Sequence, residues 1–308
     1  LPLRLPGVDN DSPSKRVLEL KQPTETFVFN DVDAQESPRL SLNRSFTAPV
    51  VVNFRQSDPD RAFLMAHDSD AFNRWSAAQD YGTAVIIRTV SDLQAKRLPQ
   101  GDEVFLDALG ITIADTSIAP AFKAALLGLP SEDYIANRMD IEDPLTLHSS
   151  RKIVRQSVAE RHRLALQALY LALNVNPPYT PDATSMGRRL LKRAALGYLA
   201  ALELPETTAM VKAQFDGADN MTDRMDALSI LNTLDVAERV QALDVFYDRY
   251  KDDHLVVNKW LAVQAAAPLP GALATVRQLI EHSAFDLKNP NKARAVVSTF
   301  ANMNPLNI

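Results

Sequence analysis

The residues best suited to bind a ligand lie in a short segment near the end of the sequence, between residues 288 and 294. Asn289 can cap a helix that Pro290 opens, which puts Lys292 and Arg294 in its first turns. Cations at the start of a helix oppose its dipole, so their position there favours an outside partner. We therefore predict a ligand-facing surface, with a carboxylate as the expected partner and plain solvent exposure as the alternative. The candidate residues are Asn289, Asn291, Lys292 and Arg294.

Residues that could carry catalysis do not form a recognisable set. None of the five histidines belongs to a His-Glu-x-x-His motif or to another i, i+4 pair, so no zincin-type metal site is predicted. The absence of cysteine excludes thiolate nucleophiles and cysteine-based zinc sites. The nine glycines are too sparse for a phosphate loop or a Gly-x-Ser-x-Gly elbow. The sequence thus predicts no catalytic residue and no metal ligand.

Composition limits the classes of partner. The 308 residues carry a net charge of −5, which disfavours a nucleic-acid role. Leucine and alanine interleave with the basic residues between 188 and 193, so we interpret that cluster as the solvated face of an amphipathic helix. The longest uncharged run, Leu164 to Pro181, contains asparagines and a Pro-Pro pair. It predicts a buried helix followed by a loop rather than a membrane span.

The beginning of the sequence and its lack of cysteine suggest where the protein resides. The chain starts Leu-Pro-Leu-Arg, without an initiator methionine or a signal peptide, which suggests a fragment of something longer. A protein without cysteine suits a reducing compartment. We therefore expect a cytoplasmic protein.

Residues 1–54 are predicted to form a partial β-sandwich domain of the immunoglobulin-like type. Prolines punctuate this part, and its short apolar runs alternate with period two. The visible strands are too few for a complete sandwich, so we expect the opening strands to be missing. An exposed sheet edge would result. The strands are predicted at 16–20, 24–29, 39–42 and 49–54.

Residues 55–308 are predicted to form an α-helical superhelical domain with ARM- or HEAT-like repeats. From about residue 205 the helices come in pairs with a period of roughly 30–35 residues. We expect one long helix from Asp143 to about Asn174, and core positions for Trp75 and Trp260. At the joint before residue 228, Gly217 is expected to take a left-handed cap conformation and Thr222 to cap the next helix.

The same sequence resembles the C-terminal half of the bacterial aminopeptidase N family, in order and over nearly the whole chain. That family comprises zinc-dependent alanyl aminopeptidases of the gluzincin class. The resemblance is carried by Glu25 to Val32, Phe46 to Val50, Phe63 to Gln79, Asn220 to Asp223, Asn258 to Trp260 and Asn289 to Asn291.

This resemblance implies a β-sandwich followed by an α-superhelical domain that caps the active site of a thermolysin-like domain and encloses a cavity for peptides. By the same likeness, Arg294 matches an arginine that faces the cavity. The family's zinc motif and its Gly-rich exopeptidase motif are absent from this sequence. The implied zinc therefore belongs to a catalytic domain outside this chain, and the chain alone is expected to need no cofactor and to be inactive. The implied partners are that catalytic domain of the same polypeptide and a peptide substrate, with no nucleic acid and no membrane.

Two functional hypotheses follow. The first is a non-catalytic C-terminal region of a zinc metallo-aminopeptidase, which removes N-terminal amino acids from peptides. The region would cap the active site, form the substrate cavity and limit access to it. The alternative is a helical-repeat scaffold that binds a protein or peptide and has no enzymatic activity. A zinc motif in the coding sequence upstream of Leu1 would distinguish the first from the second.

Overall fold

The computed structural model describes residues 17–30, 32, 37–175 and 178–307, and this part of the chain is mainly helical. The prediction of a mainly α-helical protein is confirmed. Fifteen α-helices lie in the described part: α1 (Asp58–His67), α2 (Ala71–Gln94), α3 (Glu103–Ala114), α4 (Pro120–Leu126), α5 (Glu132–Ala136), α6 (Pro144–Arg161), α7 (Arg163–Leu173), α8 (Ala183–Ala200), α9 (Pro205–Gly217), α10 (Met221–Leu231), α11 (Ala237–Tyr250), α12 (His254–Ala265), α13 (Ala272–Glu281), α14 (Pro290–Ala293) and α15 (Thr299–Met303).

Most of these helices begin where a polar side chain satisfies a free backbone N–H group of the first turn. Such capping stabilises a helix by about 1 kcal/mol. At Ser57 the cap is reciprocal, because the side chain of Asp60 also accepts a hydrogen bond from the backbone N–H of Ser57. The capping residues are Ser57, Asp70, Asp102, Ser131, Asp143, Asp182, Asn220, Asp253 and Asn289.

The helices stack in two layers. From α6 onward, each helix up to α13 packs against the next one along the chain, while α6 also contacts α8, α8 contacts α10, and α9 contacts α11. Helices α6, α8 and α10 therefore share one layer, and α7, α9 and α11 share the other, as in helical-repeat proteins. One continuous cluster of buried apolar residues extends from Ala62 to Val296. Burial of this cluster supplies the main driving force for the array.

The two tryptophans occupy different environments. Trp260 is buried, and its indole N–H donates to the carbonyl of Leu243 at 3.0 Å, so the core prediction is confirmed for this residue. Trp75 is half-buried on α2, where its ring lies 5.7 Å from the ring of Phe72. It belongs neither to the buried apolar cluster nor to the residues packed against that cluster, so the core prediction is wrong for Trp75.

The predicted β-sandwich is not present in the described residues, and that part of the fold prediction is wrong. Residues 17–29 and 49–56 contain no ladder of strands, and the first residue of the predicted strand 16–20 lies outside the described part. A sandwich strand needs a facing sheet to bury its apolar side. Here that side is exposed instead: Val17 and Leu20 are each 74% exposed and Val51 is 97% exposed.

Polar contacts, rather than a second sheet, attach part of this segment to the helices. Ser41 donates to the carboxylate of Asp68 at 2.6 Å, and Arg44 pairs with the same carboxylate at 2.5 Å. The side chain of Asn73 donates to Ser41 and to the carbonyl of Leu42. Since Asp68 lies between α1 and α2 and is buried, this network fixes residues 41–44 against the start of α2.

The long helix predicted from Asp143 to Asn174 is interrupted. It divides at His162, whose φ of −114° and ψ of 20° leave the helical region. The imidazole Nε2 of His162 lies 2.8 Å from the carbonyl oxygen of Leu106 on α3. This contact between distant parts of the sequence explains why local periodicity did not reveal the break.

Substitution of Gly110 by alanine is expected to lower the free energy of unfolding by about 1–2 kcal/mol, although alanine favours helices. A Cβ atom at Gly110 would lie 2.7 Å from Cε1 of His162, whose ring is held by its contact with Leu106. Urea unfolding followed by circular dichroism measures the change. Gly217→Ala is the control, since a Cβ there meets nothing within 4 Å. Equal stability of the two variants would contradict the expected clash.

The joint between α9 and α10 differs in detail from its prediction. Gly217 is the last residue of α9 and has no positive φ, so the predicted left-handed cap is wrong. The next helix is capped by Asn220, whose side-chain oxygen accepts from the backbone N–H of Asp223 at 2.9 Å, and not by Thr222. Asn220 precedes the first helical residue, which is the position from which a side chain reaches the free N–H groups.

Candidate functional site

The predicted ligand-facing residues form the beginning of α14. The side-chain oxygen of Asn289 accepts from the backbone N–H groups of Asn291 at 3.0 Å and Lys292 at 3.4 Å. Arg294 is exposed and opens a π-helical turn, Arg294–Ser298, whose Ala295 and Val296 are buried against the core. Within the described part of the chain, Lys292 and Arg294 have no ion-pair partner. Both cations are therefore available to a ligand.

A groove elsewhere in the array offers the larger binding volume. It consists of two adjoining cavities of about 520 and 510 Å³, both lined by residues of α6 and α8. Four residues line both cavities, namely Arg151, Arg155, Gly197 and Thr233. We call this feature the central groove. Helices α6 and α8 and the residues that follow α10 line both cavities. One cavity is completed by α4 and α10, and the other by α5, the residues after α12 and residues near 302–306. None of the four residues predicted around Arg294 lines it.

Helical spacing places two arginines of α6 in the central groove. Arg151 and Arg155 are four residues apart, which puts them on one face of the helix. The guanidinium of Arg151 donates to the carbonyls of Pro130 at 2.8 Å and Leu129 at 3.4 Å. These bonds orient Arg151 without neutralising its charge.

Arg155 has a different environment. It is half-buried and lines both cavities, and within the described residues its guanidinium has neither an ion pair nor a hydrogen bond. Its Cζ atom lies 5.5 Å from the ring centre of Tyr198. Burial lowers the pKa of Arg155, and the nearby charges of Arg151 and Arg193 lower it further, while Tyr198 acts in the opposite direction. Arginine nevertheless stays protonated at neutral pH.

Two of the three acids that line the central groove are engaged with other side chains. Glu132 lies 2.9 Å from Nδ1 of His148, and Glu203 lies 2.5 Å from Nζ of Lys152. Asp133 is exposed to solvent. The groove therefore presents both signs of charge at its surface, but among the described residues neither Arg151 nor Arg155 has an ion-pair partner, and Arg155 also lacks a hydrogen bond.

A buried ionic cluster lies on the other side of α8. Lys192 and Asp223 are 4% and 8% exposed, and the distance from Nζ to Oδ2 is 2.8 Å. Asp226, one turn further along α10, pairs with Arg193 at 3.2 Å. The prediction that the basic cluster between residues 188 and 193 is a solvated face is therefore wrong for Lys192. Asp223 of α10 balances the charge of this buried lysine.

Replacement of Asp226 by asparagine is expected to change how stability depends on pH. Burial raises the pKa of Asp226 to about 6. The charge of Asp223 also raises this pKa, whereas the charge of Arg193 lowers it. The unfolded chain releases this proton near pH 4. The contribution of the protonated form to stability is thus complete below about pH 4 and is lost as the pH rises through 6. Between pH 4 and pH 7, the free energy of unfolding of the wild type should fall by up to about 3 kcal/mol relative to that of Asp226→Asn.

Urea unfolding of both proteins over this pH range measures that difference. The matched control is Asp244→Asn, because Asp244 is exposed on α11. Its difference from the wild type should not change with pH. A constant difference between the wild type and Asp226→Asn would contradict the assignment.

The described residues contain no group of three or more histidine, cysteine, aspartate or glutamate side chains that could hold a metal ion. The histidines that lie near the central groove and α3 are separate from one another, because His148 contacts Glu132 and His162 contacts Leu106. Within the described part, no helix is both long and apolar enough to cross a membrane.

Sequence reasoning pointed to the turn around Arg294, whose role stays a prediction, and did not point to the central groove. The i, i+4 spacing of Arg151 and Arg155 was visible, and it is a weak signal, since many exposed helix faces carry such pairs. Gly197 and Thr233 are distant in sequence, and only the packing of α6, α8 and α10 brings them beside the arginines.

The chain was compared with known protein families and structures. Residues 58–307 match the family described as a domain of unknown function (DUF3458_C) with ARM repeats. Aminopeptidase N of Caulobacter vibrioides is 37% identical over 270 residues, which are 88% of this chain and 31% of that protein. Aminopeptidase N of Escherichia coli is 34% identical over 298 residues, which are 95% of this chain and 33% of that protein.

A solved structure also has this arrangement of helices. The aminopeptidase A of Legionella pneumophila, crystallised in complex with aspartic acid, matches with a TM-score of 0.76 and 28% identity. The match covers 86% of this chain and 32% of that one. The chain thus spans about a third of the length of the relatives it matches. With its two-layered helices and a family match over residues 58–307, the chain belongs to the ARM-repeat family that forms the C-terminal helical domain of the aminopeptidase N family.

Proposed function

We propose that this chain is the non-catalytic helical region of a zinc metallo-aminopeptidase that removes N-terminal amino acids from peptides. In this role the helices cap the active site, form the substrate cavity and limit access to it. The observation that carries the proposal is the central groove, which lies in a chain whose relatives are named aminopeptidases N.

The size and lining of the groove support a peptide as the occupant. Its two cavities of about 520 and 510 Å³ each fall within the range of small-ligand pockets, roughly 300–1,000 Å³. Apolar residues such as Leu234 and Pro268 alternate along it with charged and amide side chains. A surface of this kind offers contacts to a peptide backbone and to varied side chains.

The metal of the proposed enzyme would be bound outside this chain. Zinc sites need three or four nitrogen, sulfur or oxygen ligands from side chains placed together. The described residues contain no such group, so they do not fit a zinc ion. Zinc would come from a thermolysin-like catalytic domain of the same polypeptide, and we assign no step of the hydrolysis to residues of this chain.

The turn at the start of α14 is proposed as a second part of the substrate cavity. Arg294 and Lys292 are the cations that would meet a carboxylate, and Asn289 and Asn291 hold the turn that presents them. The unpaired state of both cations among the described residues supports this assignment. A π-helical turn also supports it, since such turns are frequent at functional sites.

We also propose a domain division near residues 54 and 55. The extended segment ends there, and Ser57 caps the first helix of the array. The polar network around Asp68 would then be the contact between the two parts.

The coding sequence upstream of Leu1 and an assay of the isolated chain test this proposal together. The proposal expects a His-Glu-x-x-His motif with a second glutamate downstream, within a few hundred residues of Leu1. It also expects no stoichiometric zinc and no hydrolysis of an aminoacyl-anilide by the isolated chain. Stoichiometric zinc or turnover in the isolated chain would contradict it. Absence of the upstream motif would instead favour the peptide-binding scaffold.

A further inference from the structure

We propose that Arg155, with Arg151 and Arg193 beside it, forms an oxyanion-binding site at the middle of the central groove. The ligand class is a small oxyanion, either a carboxylate or a phosphate. This inference goes beyond the proposed function and does not depend on it, because it concerns binding by the chain itself.

Arg155 lacks a counter-ion among the described residues. A half-buried charge is unfavourable unless it is paired or hydrogen-bonded. Lys152 and Arg193 of the groove pair with Glu203 and Asp226. Arg155 alone among these lining cations has no carboxylate and no hydrogen-bond partner within the described residues. Its five N–H donors therefore remain for a ligand.

The electrostatic potential around Arg155 is positive, because Arg151 and Arg193 lie near it. The charges of Arg151 and Arg193 act directly on its guanidinium, as their effect on its pKa shows. Asp226 offsets part of the charge of Arg193. Arg151 and Arg155 have no such partner among the described residues, so their guanidinium groups repel one another when the site is empty and a bound anion would relieve this repulsion. Tyr198 offers only its ring, since its hydroxyl already donates to the carbonyl of Leu127 at 2.6 Å.

The two cavities leave room for a ligand beside the guanidinium of Arg155. Arg155 is reached from both cavities, and the backbone of Gly197 forms the opposite wall. A Cβ atom at Gly197 would lie 2.9 Å from Nη2 of Arg155, so the glycine allows the guanidinium to lie close to α8. The planar fork of arginine binds carboxylate and phosphate oxygens through two parallel hydrogen bonds. A planar or tetrahedral oxyanion thus fits the donors and the space.

Isothermal titration calorimetry of the chain tests this site with three probes: N-acetyl-dialanine, its C-terminal amide, and inorganic phosphate. We expect the acid, the phosphate or both to bind, and the amide not to bind. Arg155→Gln should weaken anion binding roughly ten- to a hundredfold, since it removes charge-assisted hydrogen bonds. The probe that binds more tightly identifies the source of the oxyanion.

Two further variants complete the test. Arg155→Lys keeps the charge but loses the fork, so its affinity should lie between those of the wild type and Arg155→Gln. This variant also tests the site if Arg155→Gln does not fold. The control is Arg163→Gln, because Arg163 pairs with Glu206 at 2.7 Å and does not line the groove. Anion binding should be unchanged in this variant.

The proposal also predicts that Arg155→Gln melts at the same temperature as the wild type or higher, since among the described residues its guanidinium makes no hydrogen bond or ion pair that could be lost and only a distant contact with the ring of Tyr198. Binding of the amide as tightly as the acid would overturn the site. The same is true if neither anion binds the wild type, or if Arg155→Gln and Arg155→Lys both bind anions as the wild type does.

Discussion

Replacement of Lys192 by methionine is expected to lower the free energy of unfolding by about 3–5 kcal/mol, because it leaves a carboxylate buried without its counter-ion. Lys192 and Asp223 are almost fully buried, and their side chains lie 2.8 Å apart between α8 and α10. Asn220 is the other hydrogen-bond donor to Oδ2 of Asp223. Methionine fills a volume similar to that of lysine, so lost packing contributes little. Urea unfolding at pH 7 measures the effect.

The control and the double variant decide whether the charge is the cause. Lys212→Met removes an i, i+4 pair with the exposed Asp216 and should cost about 0.5 kcal/mol or less. Lys192→Met combined with Asp223→Leu removes both charges and should recover much of the stability that Lys192→Met loses. A loss below about 1 kcal/mol for Lys192→Met would show that the ion pair is not essential to the contact between α8 and α10.

Under the proposed function, Thr233→Trp is expected to lower kcat/KM for a pentapeptide by about tenfold or more in the full polypeptide with the proposed catalytic domain. Thr233 is exposed, lines both cavities of the central groove and follows the end of α10, so an indole there would narrow the groove. The proposed function expects the shorter aminoacyl-anilide not to extend into the groove. Its kcat/KM should therefore remain close to that of the wild type.

The matched control is Thr222→Trp, because Thr222 is exposed at the opposite end of α10 and does not line the groove. This variant should hydrolyse both substrates as the wild type does. An equal fall for both substrates in Thr233→Trp would indicate a general disturbance. No fall for the pentapeptide would mean that the substrate does not occupy the groove.

The beginnings of most helices could be predicted from the sequence because caps are local. Asp143 and Asn289 act within three residues of the groups they satisfy, and each precedes a proline that suits the first helical position. The exact cap at the joint before α10 was wrong by two residues, since Asn220 and Thr222 are both good capping residues. Only the backbone geometry distinguishes them.

Features that depend on contacts between distant residues could not be predicted. The break at His162 depends on the carbonyl of Leu106, and the burial of Lys192 depends on Asp223. The pattern around Lys192 correctly indicated an amphipathic helix. It could not show that α10 would cover that part of the helix and supply the opposite charge.

The apolar residues before residue 55 alternate with the period of β-strands, but the described residues there do not form a sheet. Period-two alternation indicates which side of a strand is apolar. That side becomes buried only if another sheet packs against it. Val50 and Val52, for example, are 59% and 46% exposed in the structure. The helical region did not depend on such a partner, because each helix is covered by its neighbours in the chain.

Photo-crosslinking of a bound peptide tests most directly whether the central groove forms part of a substrate cavity. A non-hydrolysable peptide with a benzophenone near its C-terminal end would be bound to the polypeptide that carries this chain, irradiated, and mapped by mass spectrometry. The account predicts adducts on residues of the groove, such as Thr233, Ala201 and Asn302, that an excess of unlabelled peptide prevents. Adducts confined to outward-facing residues such as Leu164 of α7, or absent from residues 58–307, would contradict it.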